Sequence, residues 1–255
     1  MRSEISTRKA IVTGAGTGIG QATAATLVDA GFHVVLVGRR EEPLAATRER
    51  LNRPDAATLQ LCDVTDETAV AAMFDTVGPV DAVVCNAGVS MSAPFARTSV
   101  EQVTQAFTVN ALGAFLCLRA ALPGMRSRGW GRAVVVSSIS GVVGAPYIAA
   151  YTASKHAAIG FVRSAAAEMA GTGVTVNAVC PTYVRTPMTE RTVAAISDKT
   201  GREASASEAS LAAGSPLGRL LEPAEVAHAV GFLCTDLAGG ISGQALVMDG
   251  GGVQH

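Results

Sequence analysis

A glycine-rich stretch, TGAGTGIG at residues 13–20, joins the apolar run Ala10–Val12 to the Ala-rich segment Ile19–Ala30. Glycines allow the backbone to turn sharply and to approach a phosphate closely, and a helix N-terminus offers free N–H groups and the positive end of a dipole. The spacing is Gly14-x3-Gly18-x-Gly20 rather than GxGxxG. Because the stretch lies between a predicted strand and a predicted helix, it predicts a site for the phosphates of a dinucleotide, although any tight turn also uses glycine.

The rest of the chain alternates between short β-branched runs and longer Ala-rich segments. The predicted strands are Ala10–Val12, Val34–Val37, Thr58–Leu61, Ala82–Cys85, Ala133–Val136, Thr175–Val179 and Ala245–Met248. The predicted helices are Ile19–Ala30, Pro43–Leu51, Asp66–Phe74, Val100–Arg128, Tyr151–Ala170 and Pro223–Leu233. Most of the runs are continuously apolar, which is typical of strands covered on both faces. The alternation predicts an α/β fold: a single Rossmann-like doubly wound domain over residues 1–255, with a seven-stranded parallel sheet flanked by helices on both faces.

Composition excludes several classes of protein. The chain has 255 residues, of which 49% are hydrophobic and 16% charged, and its formal net charge is -1. A charge so close to balance provides no broad basic field for nucleic acid or for an anionic membrane. The sequence contains no uninterrupted apolar run of the ~18 residues that a spanning helix needs, and its N-terminal residues form no apolar stretch of signal-peptide length. We therefore expect a soluble cytoplasmic protein that binds neither nucleic acid nor membrane.

Cysteine and histidine usage points away from disulfides and metals. The five cysteines are odd in number, have no CxxC spacing and lie mostly in apolar surroundings. Such thiols are typical of buried side chains in a reducing compartment. The four histidines are scattered without ligand spacing, so we expect no metal site.

One irregular stretch, Arg185–Gly218, interrupts the alternation between the sixth strand and the last helix. Its core, SDKTGREASASEASLAAGS, predicts one or two weak helices at most. Ligands of open α/β sheets bind beyond the carboxyl ends of the strands, where this stretch would lie. We interpret residues 186–215 as a variable, mobile substrate lid; the alternative is an ordinary surface insertion.

The end of the second predicted strand bears on the choice of cofactor. Folds selective for NAD usually place a carboxylate here to bind the ribose 2′-hydroxyl, whereas this chain has Gly38 followed by Arg39 and Arg40. A guanidinium pairs well with a phosphate monoester. The sequence therefore favours NADP, the alternative being that Arg39 only stacks on adenine and that NAD is used.

Four polar residues form the candidate catalytic set: Asn110, Ser138, Tyr151 and Lys155. Tyr151 and Lys155 are four residues apart at the start of a predicted helix, so they share one face. A nearby ammonium favours a phenolate and lowers its pKa, which would make the phenol a better acid–base catalyst. Ser138 follows the fifth predicted strand, where its hydroxyl could bind a carbonyl oxygen and stabilise the charge that develops during reduction. Taken singly, these residues would suggest a surface pair and a turn.

Together these motifs resemble the short-chain dehydrogenase/reductase family in its single-domain branch. The resemblance runs from about Lys9 to the DGG at 249–251, nearly the whole chain. It rests on TGAGTGIG at 13–20, Asp63-Val64, Asn86-Ala87-Gly88, Asn110, Ser138, YTASK at 151–155, VNAVCP at 176–181 and VRTPM at 184–188. The nearest patterns are those of 3-hydroxybutyrate-type dehydrogenases and of β-ketoacyl or polyketide ketoreductases.

The resemblance implies a role for each matching residue. Tyr151 would be the acid–base, Lys155 would bind the nicotinamide ribose and lower the Tyr151 pKa, Ser138 would orient the substrate oxygen, and Asn110 would hold a water in a proton relay. Asp63 would bind the adenine amino group in a pocket that Val64 lines. Asn86, Ala87 and Gly88 would pass beside the ribose, and Val184 and Thr186 would contact the nicotinamide carboxamide. The implied cofactor-binding set is Gly14, Thr17, Gly18, Ile19, Gly20, Arg39, Arg40, Asp63, Val64, Asn86, Ala87, Gly88, Tyr151, Lys155, Pro181, Val184 and Thr186.

The substrate expectation is a neutral or β-keto carbonyl compound. The candidate pocket segments are Val89–Pro94, Ser140–Tyr147 and 186–215, and their residues are mostly small or apolar. Apart from Arg185 and Arg191, they contain no basic cluster for a free carboxylate. Pro181 is followed by Thr182 where the family usually has glycine; this change removes no catalytic group.

The sequence leaves two alternatives to a ketone–alcohol oxidoreductase. One is a catalytically silent NAD(P)-sensing regulator of the same fold, which the intact catalytic set disfavours. The other is a sugar-nucleotide epimerase or dehydratase, which usually carries a longer C-terminal domain. By analogy with relatives, the Ala-rich segments 101–128 and 151–170, together with the tail Gln244–His255, predict a homodimer or homotetramer.

Overall fold

The computed structural model describes residues 7–254 and contains, over that range, the seven predicted strands. They are β1 (Lys9–Thr13), β2 (His33–Gly38), β3 (Ala57–Leu61), β4 (Ala82–Cys85), β5 (Gly131–Val136), β6 (Val174–Pro181) and β7 (Ala245–Met248). The helices are α1 (Gly18–Asp29), α2 (Glu41–Glu49), α3 (Glu67–Val77), α4 (Val100–Phe107), α5 (Gly113–Arg128), α6 (Ala149–Glu168), α7 (Pro187–Thr200), α8 (Ala204–Ala212) and α9 (Pro223–Leu233). Residues 1–6 of the N-terminal stretch that was expected to form no signal peptide, and His255 of the predicted C-terminal tail, lie outside the described range.

The strands form one parallel sheet in the order β3-β2-β1-β4-β5-β6-β7. This order confirms the doubly wound, Rossmann-like prediction. The order reverses between β1 and β4, because the chain crosses from the outer strand β3 back to the centre. In open α/β sheets such a reversal leaves a crevice at the carboxyl ends of the strands, where ligands bind.

Alternate residues of each central strand enter two separate cores. In β1, Ile11 packs with α3, α5 and α6 on one face, whereas Ala10 and Val12 pack with α1, α2 and α9 on the other. Burial on both faces explains why the strands are continuous apolar runs in the sequence. It also fixes the strand ends, and thus the site, on a rigid scaffold.

The predicted helix Val100–Arg128 is interrupted in the structure. A π-helical turn at Thr108–Leu112 separates α4 from α5. Such turns are rare and often occur at functional sites; here the turn carries Asn110.

The same stretch is long and apolar enough to cross a membrane by composition. Its most apolar window has a mean hydropathy of 1.4, and 56% of that window is buried inside the protein. The expectation concerned an uninterrupted apolar run, and this stretch contains Glu101, Asn110 and Arg119, so the finding does not contradict it. The apolar residues of α5, such as Leu116 and Leu118, are accounted for by the core they enter.

The predicted lid contains two helices, α7 and α8, the upper limit of the one or two helices expected there. Val193 of α7 and Leu211 of α8 form a small core with Leu220, which follows α8, and the Ser197 and Ser207 hydroxyls are hydrogen-bonded at 2.9 Å. A three-residue core needs few apolar side chains, so the sequence pattern shows only a weak helical signal.

At the amino end of β5, away from the crevice at the carboxyl ends of the strands, Trp130 lies between two arginines. The guanidinium carbons of Arg8 and Arg132 are 3.9 and 4.6 Å from its ring centroid. Arg132 is buried and donates to the backbone carbonyls of Thr235, Gly131 and Gly173.

We expect Arg132→Met to lower the free energy of unfolding by about 3 kcal/mol, because it leaves buried carbonyl oxygens without their donor. Urea unfolding followed by the fluorescence of Trp130, the single tryptophan of the chain, measures this loss. Arg8→Met is the matched control. Arg8 stacks on the same ring but is partly exposed, so its removal should cost at most about 1 kcal/mol. Equal losses in the two variants would contradict the interpretation.

Candidate active site

The glycine-rich turn after β1 is held in a form that only glycine allows. Gly14 has a φ of 66°, and a Cβ on Gly20 would collide with the carbonyl oxygen of Gly14. The Asn86 side-chain amide donates to the carbonyls of Thr13 (3.0 Å) and Gly14 (3.2 Å). The turn is therefore fixed against the end of β4, and its backbone can approach a ligand closely.

Thr13 also holds the glycine-rich turn against the end of β4. Its role was not predicted from the sequence. Its hydroxyl accepts hydrogen bonds from the backbone N–H groups of Asn86 (2.9 Å) and Ala87 (3.0 Å). The sequence signal that could have indicated this role is its position as the last residue of β1, at the carboxyl edge of the sheet. Asn86, expected beside the ribose, thus uses its side chain to support the turn.

Helix α1 begins at Gly18, directly after Thr17. No side chain of the described residues caps this N-terminus, and its first turn carries no acidic residue. The first N–H groups of the helix therefore remain available to an anion, as a pyrophosphate-binding turn requires.

A cleft of about 230 Å³ extends from this turn across the ends of β2, β3 and β4. Eight predicted cofactor residues line it: Gly14, Thr17, Arg39, Arg40, Asp63, Val64, Ala87 and Gly88. Further lining residues, which the sequence analysis did not assign to the cofactor, include Pro43, Leu44, Cys62, Thr65, Val89 and Val109. The predicted turn, strand ends and arginines thus meet in one cleft.

Arg39 and Asp63 face each other across the cleft. Arg39 Nη1 lies 3.8 Å from Asp63 Oδ2, and the Arg39 side chain is 71% exposed. Asp63 Oδ1 accepts hydrogen bonds from the backbone N–H (3.0 Å) and hydroxyl (2.8 Å) of Thr65. These bonds, and then the charge of Arg39, lower the pKa of Asp63. Asp63 is therefore a fixed carboxylate acceptor, whereas the Arg39 guanidinium remains accessible to a phosphate.

The chain segment that follows β6 lies against the glycine-rich turn. Thr186 caps α7 by accepting from the Thr189 N–H (3.4 Å), and a Cβ on Gly18 would lie 2.9 Å from Thr186 Cγ2. Val184 is buried and forms a β-bridge with Leu221. Pro181 pairs with Met248 in the sheet. Of the residues expected near the nicotinamide, Thr186 therefore adjoins the glycine-rich turn.

The catalytic candidates gather beyond β5 and at the start of α6. Ser138 follows β5, is buried, and its hydroxyl accepts from the Ser140 N–H (3.1 Å). Lys155 is buried and its Nζ donates to the Val136 carbonyl at 2.9 Å. The same Nζ lies 5.7 Å from the Tyr151 ring centroid. Burial lowers the pKa of Lys155 to about 8.

The pKa of Tyr151 departs from the sequence expectation. Burial raises it to about 12, and the adjacent Ser138 hydroxyl offsets only part of this effect. Lys155, expected to lower the pKa of Tyr151, does not contribute to this shift; its Nζ donates to the Val136 carbonyl. Near neutral pH the phenol therefore keeps its proton and can act as an acid.

Asn110 connects the π-helical turn to both flanks of the site. Its Oδ1 accepts from the Val89 N–H (2.8 Å), and its Nδ2 donates to the Val89 carbonyl (3.0 Å) and the Ser154 hydroxyl (2.9 Å). Both amide hydrogens are thus engaged with protein groups. The side chain positions the loop after β4 against α6, and the water-holding role that the resemblance implies stays a prediction.

Within residues 7–254, the His, Cys, Asp and Glu side chains form no group of three that could hold a metal ion. The described cysteines Cys62, Cys85, Cys117, Cys180 and Cys234 are buried free thiols.

Known proteins resemble this chain over almost its full length. A family model described as Enoyl-(Acyl carrier protein) reductase matches residues 14–252. The chain is 34% identical to D-beta-hydroxybutyrate dehydrogenase of Rhizobium meliloti, over 96% of this chain and 98% of that protein. It is 33% identical to a 3-oxoacyl-acyl-carrier-protein reductase of Rickettsia conorii, over 97% and 98%. A solved variant of actinorhodin polyketide ketoreductase with NADPH has a TM-score of 0.89 and 36% identity, covering 96% of this chain and 97% of that one.

Proposed function

This chain belongs to the short-chain dehydrogenase/reductase family, and we propose that it reduces the ketone of a neutral β-keto compound with NADPH. The family membership makes it an oxidoreductase that acts on keto or hydroxyl groups. The proposal rests on one observation: Ser138, Tyr151 and Lys155 gather at the carboxyl end of β5. The described dinucleotide cleft lies at the same edge of the sheet.

The residues of the cleft fit a dinucleotide. The turn that a Cβ on Gly20 would block, the open N-terminus of α1 and the fixed carboxylate of Asp63 match pyrophosphate and adenosine groups. Arg39 and Arg40 would hold a 2′-phosphate beside Gly38, which brings no repelling carboxylate. When bound, NADPH supplies the hydride.

The side chains supply the proton and the electrostatic setting. Tyr151 donates its phenolic proton to the ketone oxygen as that oxygen gains negative charge, which yields the secondary alcohol. The Ser138 hydroxyl donates a hydrogen bond to the same oxygen. The buried Lys155 ammonium stabilises the phenolate that the transfer leaves behind, and it is available to the nicotinamide ribose.

The charge pattern around the site supports a neutral substrate. Arg185, a candidate for binding a carboxylate, already pairs with Glu208 (2.9 Å) and Glu222 (3.1 Å). Relatives named for 3-oxoacyl and beta-hydroxybutyrate substrates support a carbonyl placed β to an acyl group. The named relatives are reductases or dehydrogenases, and they lend no support to the sensing alternative.

The assay that tests the proposal follows nicotinamide absorbance with ethyl acetoacetate and a panel of other neutral ketones, using NADPH and NADH in parallel. We expect turnover with NADPH on β-keto esters. Cofactor binding without turnover on any ketone or alcohol would instead support a sensor.

The pH dependence of reduction should follow Lys155. Its pKa is about 8, whereas Tyr151 stays protonated up to about 12. The active form carries the ammonium, so kcat/KM should be level near neutral pH and fall about tenfold per pH unit above about 8. Lys155→Arg keeps its positive charge in this pH range. The pH profile of its kcat/KM should therefore show no fall above pH 8, even if kcat/KM itself is lower than in the wild type. A limb retained in Lys155→Arg would assign the titration to another group.

We further propose that residues 1–255 form one domain in which α7 and α8 are the substrate lid, and that the protein is a cytoplasmic homodimer or homotetramer. Free buried thiols support a reducing compartment. For assembly, Phe115 of α5 and Phe161 of α6 make an aromatic contact with centroids 5.1 Å apart on partly exposed helix faces. Leu246 of β7 is also exposed. Light scattering after gel filtration tests the number of subunits.

A further inference from the structure

One buried hydroxyl joins α2 to the glycine-rich turn and to α1. Thr47 lies in α2 and is fully buried. Its hydroxyl donates to the carbonyl of Ala15, in the glycine-rich turn, at 3.0 Å, and it accepts from the side-chain amide of Gln21, in α1, at 3.1 Å. The hydroxyl also lies 3.0 Å from the Pro43 carbonyl, the contact with the preceding turn that threonine commonly makes in a helix. The contacts with Ala15 and Gln21 reach outside α2, so Thr47 fixes this helix against the other two segments.

The same helix continues from the two arginines of the cleft. Arg39 and Arg40 directly precede Glu41, the first residue of α2, and both line the cleft together with Pro43. Pro43 lies against the glycine-rich turn, because a Cβ on Gly16 would be only 2.8 Å from Pro43 Cβ. The position of α2 therefore sets the distance between the arginines and the turn.

This distance matters for a cofactor that binds at both places. The adenosine ribose of NADPH carries a 2′-phosphate and, at its 5′ position, the pyrophosphate. Both groups belong to one small ring, so the protein groups that bind them must stand at one separation. A site that is already held at that separation costs less free energy to occupy. NADH has no 2′-phosphate, so its binding does not depend on this separation.

We propose that Thr47 is a positioning residue for cofactor selectivity, whose hydroxyl holds the arginine-bearing end of α2 at the distance from the glycine-rich turn that NADPH requires. This inference rests on the proposed function, because it places the 2′-phosphate at Arg39 and Arg40. Thr47 is buried, so it acts through the segments that it joins rather than by touching the cofactor.

Thr47→Val tests the proposal, since valine has nearly the shape of threonine and lacks the hydroxyl. The dissociation constants of NADPH and NADH are measured by the change in nicotinamide fluorescence on binding. We expect NADPH to bind about fivefold more weakly, as the loss of one hydrogen-bonded group predicts, and NADH to change by less than about twofold. Thr47→Ser keeps the hydroxyl and should retain the wild-type ratio of the two constants. Equal weakening of both cofactors, or no change in either, would overturn the assignment of Thr47.

Thr23→Val is the matched control. Thr23 is a fully buried threonine of α1, and its hydroxyl has no hydrogen-bond partner among the residues that the structure describes. This variant makes the same chemical change in the same half of the protein, and it should leave the ratio of the two dissociation constants unaltered. A shift as large as that of Thr47→Val would mean that any such change in this core alters the ratio, which would overturn the proposal.

A second test introduces Thr47→Val into Arg39→Ala. Without the guanidinium that it positions, Thr47→Val should weaken NADPH binding by less than about twofold. The same fivefold loss in both backgrounds would overturn the proposal, because Thr47 would then act independently of Arg39. A wild-type protein that binds NADPH no better than NADH would instead overturn the phosphate recognition in the proposed function.

Discussion

Tyr151→Phe should lower kcat for ketone reduction about 1,000-fold, because it removes the proton donor and leaves the ring in place. The phenol has a pKa of about 12, so near neutral pH it is almost fully protonated and serves as an acid in the direction of reduction. Without it, the oxygen that gains charge must take its proton from water. Single-turnover rates with saturating NADPH measure this loss separately from substrate binding.

Two controls show whether the loss of rate comes from the missing proton donor rather than from weaker cofactor binding or a lost hydrogen bond. The affinity for NADPH, measured by its fluorescence on binding, should change by less than about threefold in Tyr151→Phe, since the dinucleotide cleft is lined by other residues. Ser138→Ala removes a hydrogen bond but no proton donor, so its loss in kcat should be nearer to 100-fold. A Tyr151→Phe protein that kept its turnover would contradict the mechanism, and one that kept a regulatory activity would revive the sensing alternative.

The sequence alone predicts most of the scaffold of this protein, because its signals are local. Each buried strand is a short apolar run, and each such run is found in the sheet near its predicted bounds. The glycine spacing likewise predicts the tight turn, since a Cβ on Gly20 cannot be accommodated. Strand burial and the tight turn both constrain residues that are close together in the chain, so a local sequence pattern reveals them.

Features that depend on distant partners were not predictable in the same way. The π-helical turn around Asn110 is accompanied by hydrogen bonds to Val89 and Ser154, which no local pattern reveals. The pKa of Tyr151 depends on how deeply it is buried and on the Ser138 hydroxyl beside it, and the Lys155 ammonium donates to the Val136 carbonyl. The spacing of four places the two residues on one face of α6, but it does not determine which acceptor the ammonium chooses.

The choice of cofactor should reverse in Gly38→Asp. A carboxylate at this position would stand beside Arg39 at the 2′-phosphate end of the cleft, and like charges placed together cost several kcal/mol. We therefore expect kcat/KM with NADPH to fall about 100-fold, while that with NADH holds or rises because the carboxylate can bind the ribose 2′-hydroxyl. The new Cβ would lie 3.3 Å from Leu44 Cδ2, the end of a flexible side chain, so the fold should tolerate the change.

Arg39→Ala separates the attraction of the Arg39 guanidinium for the 2′-phosphate from the repulsion that the new carboxylate of Gly38→Asp introduces. It removes the accessible guanidinium without adding a negative charge, so NADPH should lose about tenfold while NADH changes little. Arg126→Ala is the matched control: Arg126 is exposed in the last turn of α5, a helix that runs back toward the opposite edge of the sheet. It should alter neither cofactor. A wild-type preference for NADH, with Arg39→Ala harmless, would contradict phosphate recognition and leave Arg39 as a side chain that only stacks on adenine.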